Sequence, residues 1–110
     1  MIAKTLLDYL DTNLNVPVVM EAPEQLTGYV LIDQTGSSRT NHIITTTFAI
    51  QSYGDSLYNA MVLNEEVKAA MVDFAGLDEI TRVELETDYN FTNTATKQYR
   101  WQAVYLITHY

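Results

Sequence analysis

Glu84 and Glu86 have the residue type and the spacing of a catalytic carboxylate pair. Residues two apart on a β-strand point to the same face about 7 Å from each other, a separation found between the carboxylates of some glycosidases. Arg82 and Asp88 are predicted to lie on that same face. A strand face of mixed charges is typical of a solvated surface. A hydrolase would also need a deep pocket around the two glutamates, so we favour the solvated surface.

Two further patterns resemble metal sites without completing them. His42 and His109 stand alone, without the spacing that places two histidines on one face of a helix, so zinc is not predicted. The stretch 88–92 begins like a calcium-binding loop. Its sixth position is Asn93 where glycine is required, and its twelfth is Tyr99 where a bidentate glutamate is required.

Nucleophile and nucleotide motifs are also incomplete. Ser37 and Ser38 lie near His42 but lack the strand-turn-helix setting of a nucleophile elbow. The four glycines are too scattered for a phosphate-binding loop, and cysteine is absent. We therefore predict no catalytic residue, no cofactor site and no metal site.

The composition indicates one acidic domain over residues 1–110. Six Lys and Arg against fourteen Asp and Glu give a formal charge of −8, which argues against binding to a phosphate backbone. Asp8 and Asp11 interrupt the first apolar stretch before it could act as a signal peptide. No apolar run approaches the length of about 18 residues that a membrane span needs. We expect a protein made in the cytoplasm with no membrane contact.

The periodicity of apolar residues predicts an α+β fold in the element order α-β-β-β-α-β-β. Two helices are expected to pack on a mainly antiparallel or mixed five-stranded sheet. The helices are predicted over 2–14 and about 56–74, and the strands over 18–20, 29–32, 43–50, 80–89 and 99–110.

A polar stretch over 34–41 separates two of the predicted strands and lacks strand character. We expect it to be a mobile loop that becomes ordered on docking to another protein. Its tip, the candidate docking site, consists of Gly36, Ser37, Ser38 and Arg39.

The second predicted helix is apolar on two sides. One stripe suits a sheet-facing side and consists of Leu57, Ala60, Leu63, Val67, Ala70, Met71 and Phe74. On the opposite side, interrupted by Glu65, lie Tyr58, Met61, Val62, Ala69 and Val72. A helix that is apolar on two sides is usually covered on both. The second cover is either the first helix or a neighbouring subunit, and we favour the subunit interface.

The last strand is rich in aromatic residues, including Tyr99, Trp101 and Tyr105 on one face. Such a row could stack on single-stranded bases if a basic groove accompanied it. Lys97 and Arg100 supply little positive charge, so a core or interface role is the better interpretation.

Several segments, in order along most of the chain, resemble one family of small phage proteins. They are Tyr29-Val30-Leu31-Ile32, His42-Ile43, Ala49-Ile50-Gln51-Ser52-Tyr53, Leu63-Asn64-Glu65-Glu66-Val67-Lys68, Asp88-Tyr89-Asn90-Phe91-Thr92 and Tyr99-Arg100-Trp101-Gln102-Ala103-Val104. The family comprises minor tail or head-to-tail joining proteins of long-tailed phages and prophages of Gram-positive bacteria. Its members are similar to tail terminators, α+β subunits whose hexameric ring caps the tail tube and meets the head connector.

This resemblance implies a structural protein of the head-tail junction of a virion. Its partners would be further copies of itself in a ring, expected to be hexameric, the tail-tube protein, and connector or stopper proteins of the head. DNA would pass through the ring without specific binding, and Glu84, Glu86 and Asp88 are candidates for its channel surface. The alternatives are another neck or tail-completion protein, or a small acidic module that mimics DNA or inhibits a partner. A DNA mimic would carry its carboxylates in rows on one face.

Overall fold

The computed structural model describes residues 1–24 and 27–110, which form seven elements. In chain order these are α1 (Ile2–Asn13), β1 (Val18–Val19), β2 (Tyr29–Thr40), β3 (Ile43–Gly54), α2 (Leu57–Phe74), β4 (Ile80–Asn90) and β5 (Tyr99–His109). The strands form one sheet in the order β1-β2-β3-β5-β4. The β1–β2 pair is parallel and the other pairs are antiparallel. The predicted α+β class and element order are confirmed.

Both helices pack on one side of the sheet, which we call the helix face. α2 lies over the central strands β3 and β5, and α1 lies beside α2 near β1. The core between these layers contains the fully buried Leu6 and Leu10 of α1, Phe48 and Ile50 of β3, and Ile107 of β5. No helix in the described part of the chain covers the other side, which we call the open face.

The start of α2 is fixed by a capping side chain. The hydroxyl of Ser56 accepts a hydrogen bond from the backbone N–H of Asn59 at 3.1 Å, which satisfies a free donor of the first turn. The neighbouring Asp55 accepts a bond from the Asn59 side chain.

The prediction of a polar loop over 34–41 is wrong. β2 continues through this stretch and pairs with β3 as far as Thr40, which lies opposite Ile43. A two-residue turn joins the strands at Asn41 and His42, whose φ angles are 51° and 71°. Such turns match the twist of a hairpin, and asparagine tolerates the left-handed conformation. The β-branched residues of β3 thus pair with a strand whose own residues have low strand propensity.

The prediction that Glu84, Glu86 and Asp88 share one strand face is also wrong. The β4–β5 register shifts between Leu85 and Thr87, so Glu86 is the extra residue of a β-bulge. Beyond the bulge the alternation of faces is inverted. Asp88 consequently lies on the helix face, where its carboxylate is 2.6 Å from the Lys68 amine of α2.

Candidate functional site

The two apolar sides of α2 have different environments. Most of the sheet-facing side is buried, with Val67, Met71 and Phe74 at most 1% exposed. Leu57, which was predicted to belong to this side, is 38% exposed at the first turn of the helix. On the opposite side Tyr58 is 72% exposed and Val72 is 74% exposed. We call this side the outer stripe; it consists of Tyr58, Met61, Val62, Ala69 and Val72, and all five residues are exposed.

α1 does not cover the outer stripe. It contacts the flank of α2, where the Tyr9 hydroxyl donates a hydrogen bond to the Ala70 carbonyl oxygen at 2.6 Å. The Tyr9 ring also packs against Phe74, with 5.0 Å between the ring centroids. The interpretation in which α1 packs on the second apolar stripe is therefore wrong. The outer stripe remains free to contact another molecule.

An apolar groove extends the outer stripe toward β4. It has a volume of about 300 Å³ and is lined by Lys68, Met71, Val72, Val83, Leu85 and Tyr105. We call it the α2–β4 groove. Since Val72 belongs to both features, the outer stripe and the groove form one continuous apolar surface.

Charged groups border this surface. The Lys68 amine contacts the carboxylates of Glu65, at 3.1 Å, and Asp88, at 2.6 Å. The hydrogen bond to Asp88 is the main reason that the pKa of Lys68 is raised, and burial opposes the rise. Both side chains of the Lys68–Asp88 pair are about one quarter exposed, so its contribution to stability is on the order of 1 kcal/mol. Its structural role is to link α2 to β4.

Glu84 and Glu86 lie on the exposed edge strand β4. Glu84 is 3.4 Å from the guanidinium of Arg82, and Glu86 occupies the bulge. Neither glutamate lines any of the main cavities in the described part of the chain. Residues 1–24 and 27–110 contain no group of three or more potential metal ligands.

The residues predicted to form a docking loop lie in the strand arm of the β2–β3 hairpin. Gly36, Ser37 and Ser38 are exposed. They pair in register with Thr47, Thr46 and Thr45 of β3. β1 pairs only with Val30 and Leu31, so the rest of the outer edge of β2 has no neighbouring strand among the residues that the structure describes.

A polar network on the open face was not predicted from the sequence. Gln51 and Gln102 lie opposite each other in register, and the Gln51 amide donates to the Gln102 carbonyl oxygen at 2.8 Å. The Tyr53 hydroxyl donates to Gln51 at 2.7 Å and accepts from the Arg100 guanidinium at 3.1 Å. Gln102 also donates to the Tyr89 hydroxyl. The network links β3, β4 and β5, and only the strand register reveals it.

This network borders an open pocket at one end of the sheet. The Tyr29 and Tyr53 rings stack there with 4.4 Å between centroids, and burial raises the pKa of Tyr29. The Arg100 guanidinium lies 4.4 Å from the centroid of the Phe91 ring and donates to the Phe91 carbonyl oxygen. The pocket has a volume of about 580 Å³, and its lining includes Tyr29, Tyr53, Tyr99, Lys97 and Asp55.

Part of the aromatic row on β5 belongs to the core. Tyr105 is 4% exposed, and burial is the main cause of its raised pKa. His109 is also buried, and its Nε2 lies 2.9 Å from the Thr46 hydroxyl. These side chains cannot stack on nucleic-acid bases without unfolding the domain.

No helix in the described residues is long and apolar enough to span a membrane.

Comparison with known proteins adds no family assignment. No protein-family model matches the chain, and no curated protein matches it.

Proposed function

We propose that this chain is a structural subunit of a phage particle, a tail terminator or head-to-tail joining protein that forms a ring, expected to contain six copies. The observation that carries the proposal is the exposed outer stripe of α2. Tyr58 and Val72 are large apolar side chains that are about three-quarters exposed. Burial of one such side chain stabilises a contact by roughly 1.5–3 kcal/mol. An apolar surface on a central helix therefore supports a function based on assembly.

The resemblance of the sequence segments to phage joining proteins supports the particular kind of assembly. In this role the ring caps the tail tube and docks to connector or stopper proteins of the head. DNA passes through the ring without being held, which agrees with a charge of −8 per chain.

The experiment is native mass spectrometry over a range of concentrations, with negative-stain microscopy of the same samples. We expect rings, either alone or after addition of tail tubes. A strict monomer that also fails to bind tail tubes would contradict the proposal. Separate incubation with tail tubes and with head connectors distinguishes a terminator from another neck or completion protein.

The geometry does not favour the acidic-mimic alternative. A mimic of DNA would need carboxylates in a row on one face. Asp88 lies on the helix face and is paired with Lys68, and Glu84 is close to Arg82. The acidic residues of β4 are therefore divided between faces and partly neutralised.

A further inference from the structure

The outer edge of β2 carries free backbone groups. The N–H of Val30 bonds to the carbonyl oxygen of Pro17, so the peptide groups of Val30 point away from β3. Successive residues of a strand alternate in this direction, so those of Gln34 also point outward. The bulge after Gln34 adds one residue, and beyond it Ser37 and Arg39 point outward. We call the outward groups of Gln34, Ser37 and Arg39 the free edge.

The turn of the hairpin gives the same assignment. Thr40 and Ile43 flank a two-residue turn, and residues in these positions bond to each other across a hairpin. The peptide groups of Thr40 therefore point toward β3, and those of the preceding Arg39 point outward. Residues 33–40 are all exposed, and none of them pairs with β1. Another strand can therefore approach the free edge.

The side chains of Ser37 and Arg39 lie on the helix face. Ser37 is opposite Thr46 of β3, and Arg39 is opposite Ile44. Both partners lie on the same side of β3 as Phe48, which is fully buried beneath the helices. An added strand would therefore direct the side chains that face Ser37 and Arg39 toward the helix face as well.

A pocket of about 400 Å³ lies on the helix face beside the free edge, and we call it the edge pocket. Gln34 and Ser37 line it on the β2 side, and Ile2 of α1 and Ile44 of β3 supply apolar lining. Glu79 also lines it but lies next to β4, on the far side of β5 from β2. The part of the pocket that adjoins the free edge thus suits an apolar side chain.

The opposite edge of the sheet differs from this one. The β4–β5 register shifts at two places, and Arg82, Glu84 and Glu86 place charges along β4. Bulges and charged side chains are common protection against the pairing of edge strands. Beyond its single bulge, β2 carries one charged residue, Arg39. Of the two edges, that of β2 is the one open to pairing.

We infer that the free edge binds an extended segment of a partner protein, which joins the sheet antiparallel to β2 and inserts an apolar side chain into the edge pocket. Free backbone donors and acceptors are satisfied by another extended backbone, and an adjacent pocket selects its side chains. Arg39 has no carboxylate at ion-pairing distance among the described residues. The segment therefore carries an acidic residue opposite Arg39 and, two positions later, an apolar residue opposite Ser37.

A second copy of β2 does not have this chemistry. Residues 34–40 include no apolar side chain, so pairing of two free edges would leave the edge pocket unfilled in both copies. The inference goes beyond the proposed function, because ring formation through the outer stripe of α2 uses a different surface.

The probe is the peptide acetyl-Thr-Glu-Thr-Leu-Thr-Val-Thr-amide, which places Glu opposite Arg39 and Leu opposite Ser37. Amide hydrogen exchange followed by NMR reports strand addition at each residue. In the free protein the amides of Ser37 and Arg39 should exchange fast, whereas that of Ser38, which points toward β3, should exchange slowly. The peptide should slow exchange at Ser37 and Arg39 by roughly tenfold or more and leave Ser38 unchanged.

Matched peptides separate the backbone contact from the pocket contact. N-methylation of the peptide's Leu removes a donor that faces β2 and places a methyl group between the strands, so it should abolish binding. Replacement of this Leu by Ala should weaken binding by roughly tenfold or more, because the edge pocket loses its apolar occupant.

Matched variants test the free edge in the protein. Ser37→Pro removes an outward N–H at an edge position, where proline is compatible with a strand, and it should abolish binding. Ser37→Ala keeps the N–H and should bind like the wild type. The N-methylated peptide decides the question if Ser37→Pro does not fold.

The outcomes separate this inference from the proposed function. Equal binding of the N-methylated peptide, or unchanged exchange at Ser37 and Arg39 at the highest soluble peptide concentration, would overturn strand addition. Protection of these amides that increases with protein concentration, without peptide, would assign the edge to a second copy and overturn the inference. Tyr58→Asp should retain peptide binding and lose ring formation, so either idea can fail while the other stands.

Discussion

Gly54 lies where β3 passes under the first turn of α2. A Cβ atom at this position would be 2.6 Å from the backbone nitrogen of Ala60, and backbone cannot move aside as a flexible side chain can. We expect Gly54→Ala to lower the free energy of unfolding by about 1–3 kcal/mol, the usual cost of overpacking. Urea unfolding followed by circular dichroism measures the loss. Gly36→Ala is the matched control, because a Cβ there meets no atom within 4 Å; an equal loss in both variants would contradict the steric explanation.

Two buried hydroxyls on β3 should respond oppositely to removal. The Ser52 oxygen has no hydrogen-bond partner among the described residues, whereas the Thr46 oxygen bonds to Nε2 of His109. Ser52→Ala should be neutral or slightly stabilising, because it removes an unsatisfied polar atom. Thr46→Val should cost about 1–3 kcal/mol, because it leaves Nε2 of the buried His109 without its hydrogen-bond partner. Thermal unfolding of both variants checks the contrast, and a larger loss for Ser52→Ala would refute it.

At the scale of single elements, we expect acidic substitutions on the two sides of α2 to have different effects on stability. Tyr58→Asp should change the stability of the isolated domain by less than about 0.5 kcal/mol, because the side chain is exposed there. Under the proposed function, the same substitution should impair assembly. Phe74→Asp should unfold the domain, because Phe74 is fully buried in the core. Thermal unfolding and native mass spectrometry of both variants test this. Equal losses of stability would place the Tyr58 side inside the monomer.

Element boundaries show what the sequence could and could not predict. The helices were predictable because apolar residues recur at helical spacing, and the outer stripe followed from the same pattern. Residues 34–40 of β2 were missed because Gly36, Ser37 and Ser38 have low strand propensity, and their structure comes from pairing with distant residues. The bulge at Glu86 and the Gln51–Gln102 bond depend on register, which one strand's sequence does not encode.

Because 36–40 belongs to a paired strand, a docking role for this segment is better tested by substitution than by deletion. Deletion of 36–39 would remove paired strand residues and disturb the register with β3. Substitution of the exposed Arg39 alters the tip without affecting that pairing.

For the whole molecule, alkaline pH should weaken the fold. Burial is the main cause of the raised pKa values of Tyr9, Tyr29 and Tyr105, and the bond to Asp88 raises that of Lys68. Above about pH 10 the unfolded chain loses these protons before the folded chain does. The free energy of unfolding should therefore be unaffected by these groups below about pH 10 and should fall above it.

Urea unfolding at successive pH values, with tyrosinate absorbance recorded in parallel, measures this dependence. Tyr105→Phe keeps the buried ring and removes the ionisable hydroxyl, so its stability should fall less steeply above about pH 10. An unchanged slope in this variant would exclude Tyr105 as a contributor.

The acidic charge of the whole molecule should prevent binding to duplex DNA. Phosphate binding depends on clustered Lys and Arg, whereas this chain has six such residues and fourteen Asp and Glu. Fluorescence anisotropy with labelled duplex between about 50 and 200 mM salt should show no association. Salt-sensitive binding near micromolar concentration would contradict the proposal that DNA passes through a ring of this protein without being held.

The pairing of β3 with β5 has a consequence for the order of folding. These central strands are joined across α2 and β4, and contacting residues such as Thr46 and His109 are 63 positions apart in the chain. Distant pairing of this kind raises contact order and slows folding. During synthesis the edge of β3 that pairs with β5 would stay unpaired until β5 leaves the ribosome. Completion of the sheet is then a late event, so the folded surface of α2 that copies would share forms only on chains whose last strand has already been made.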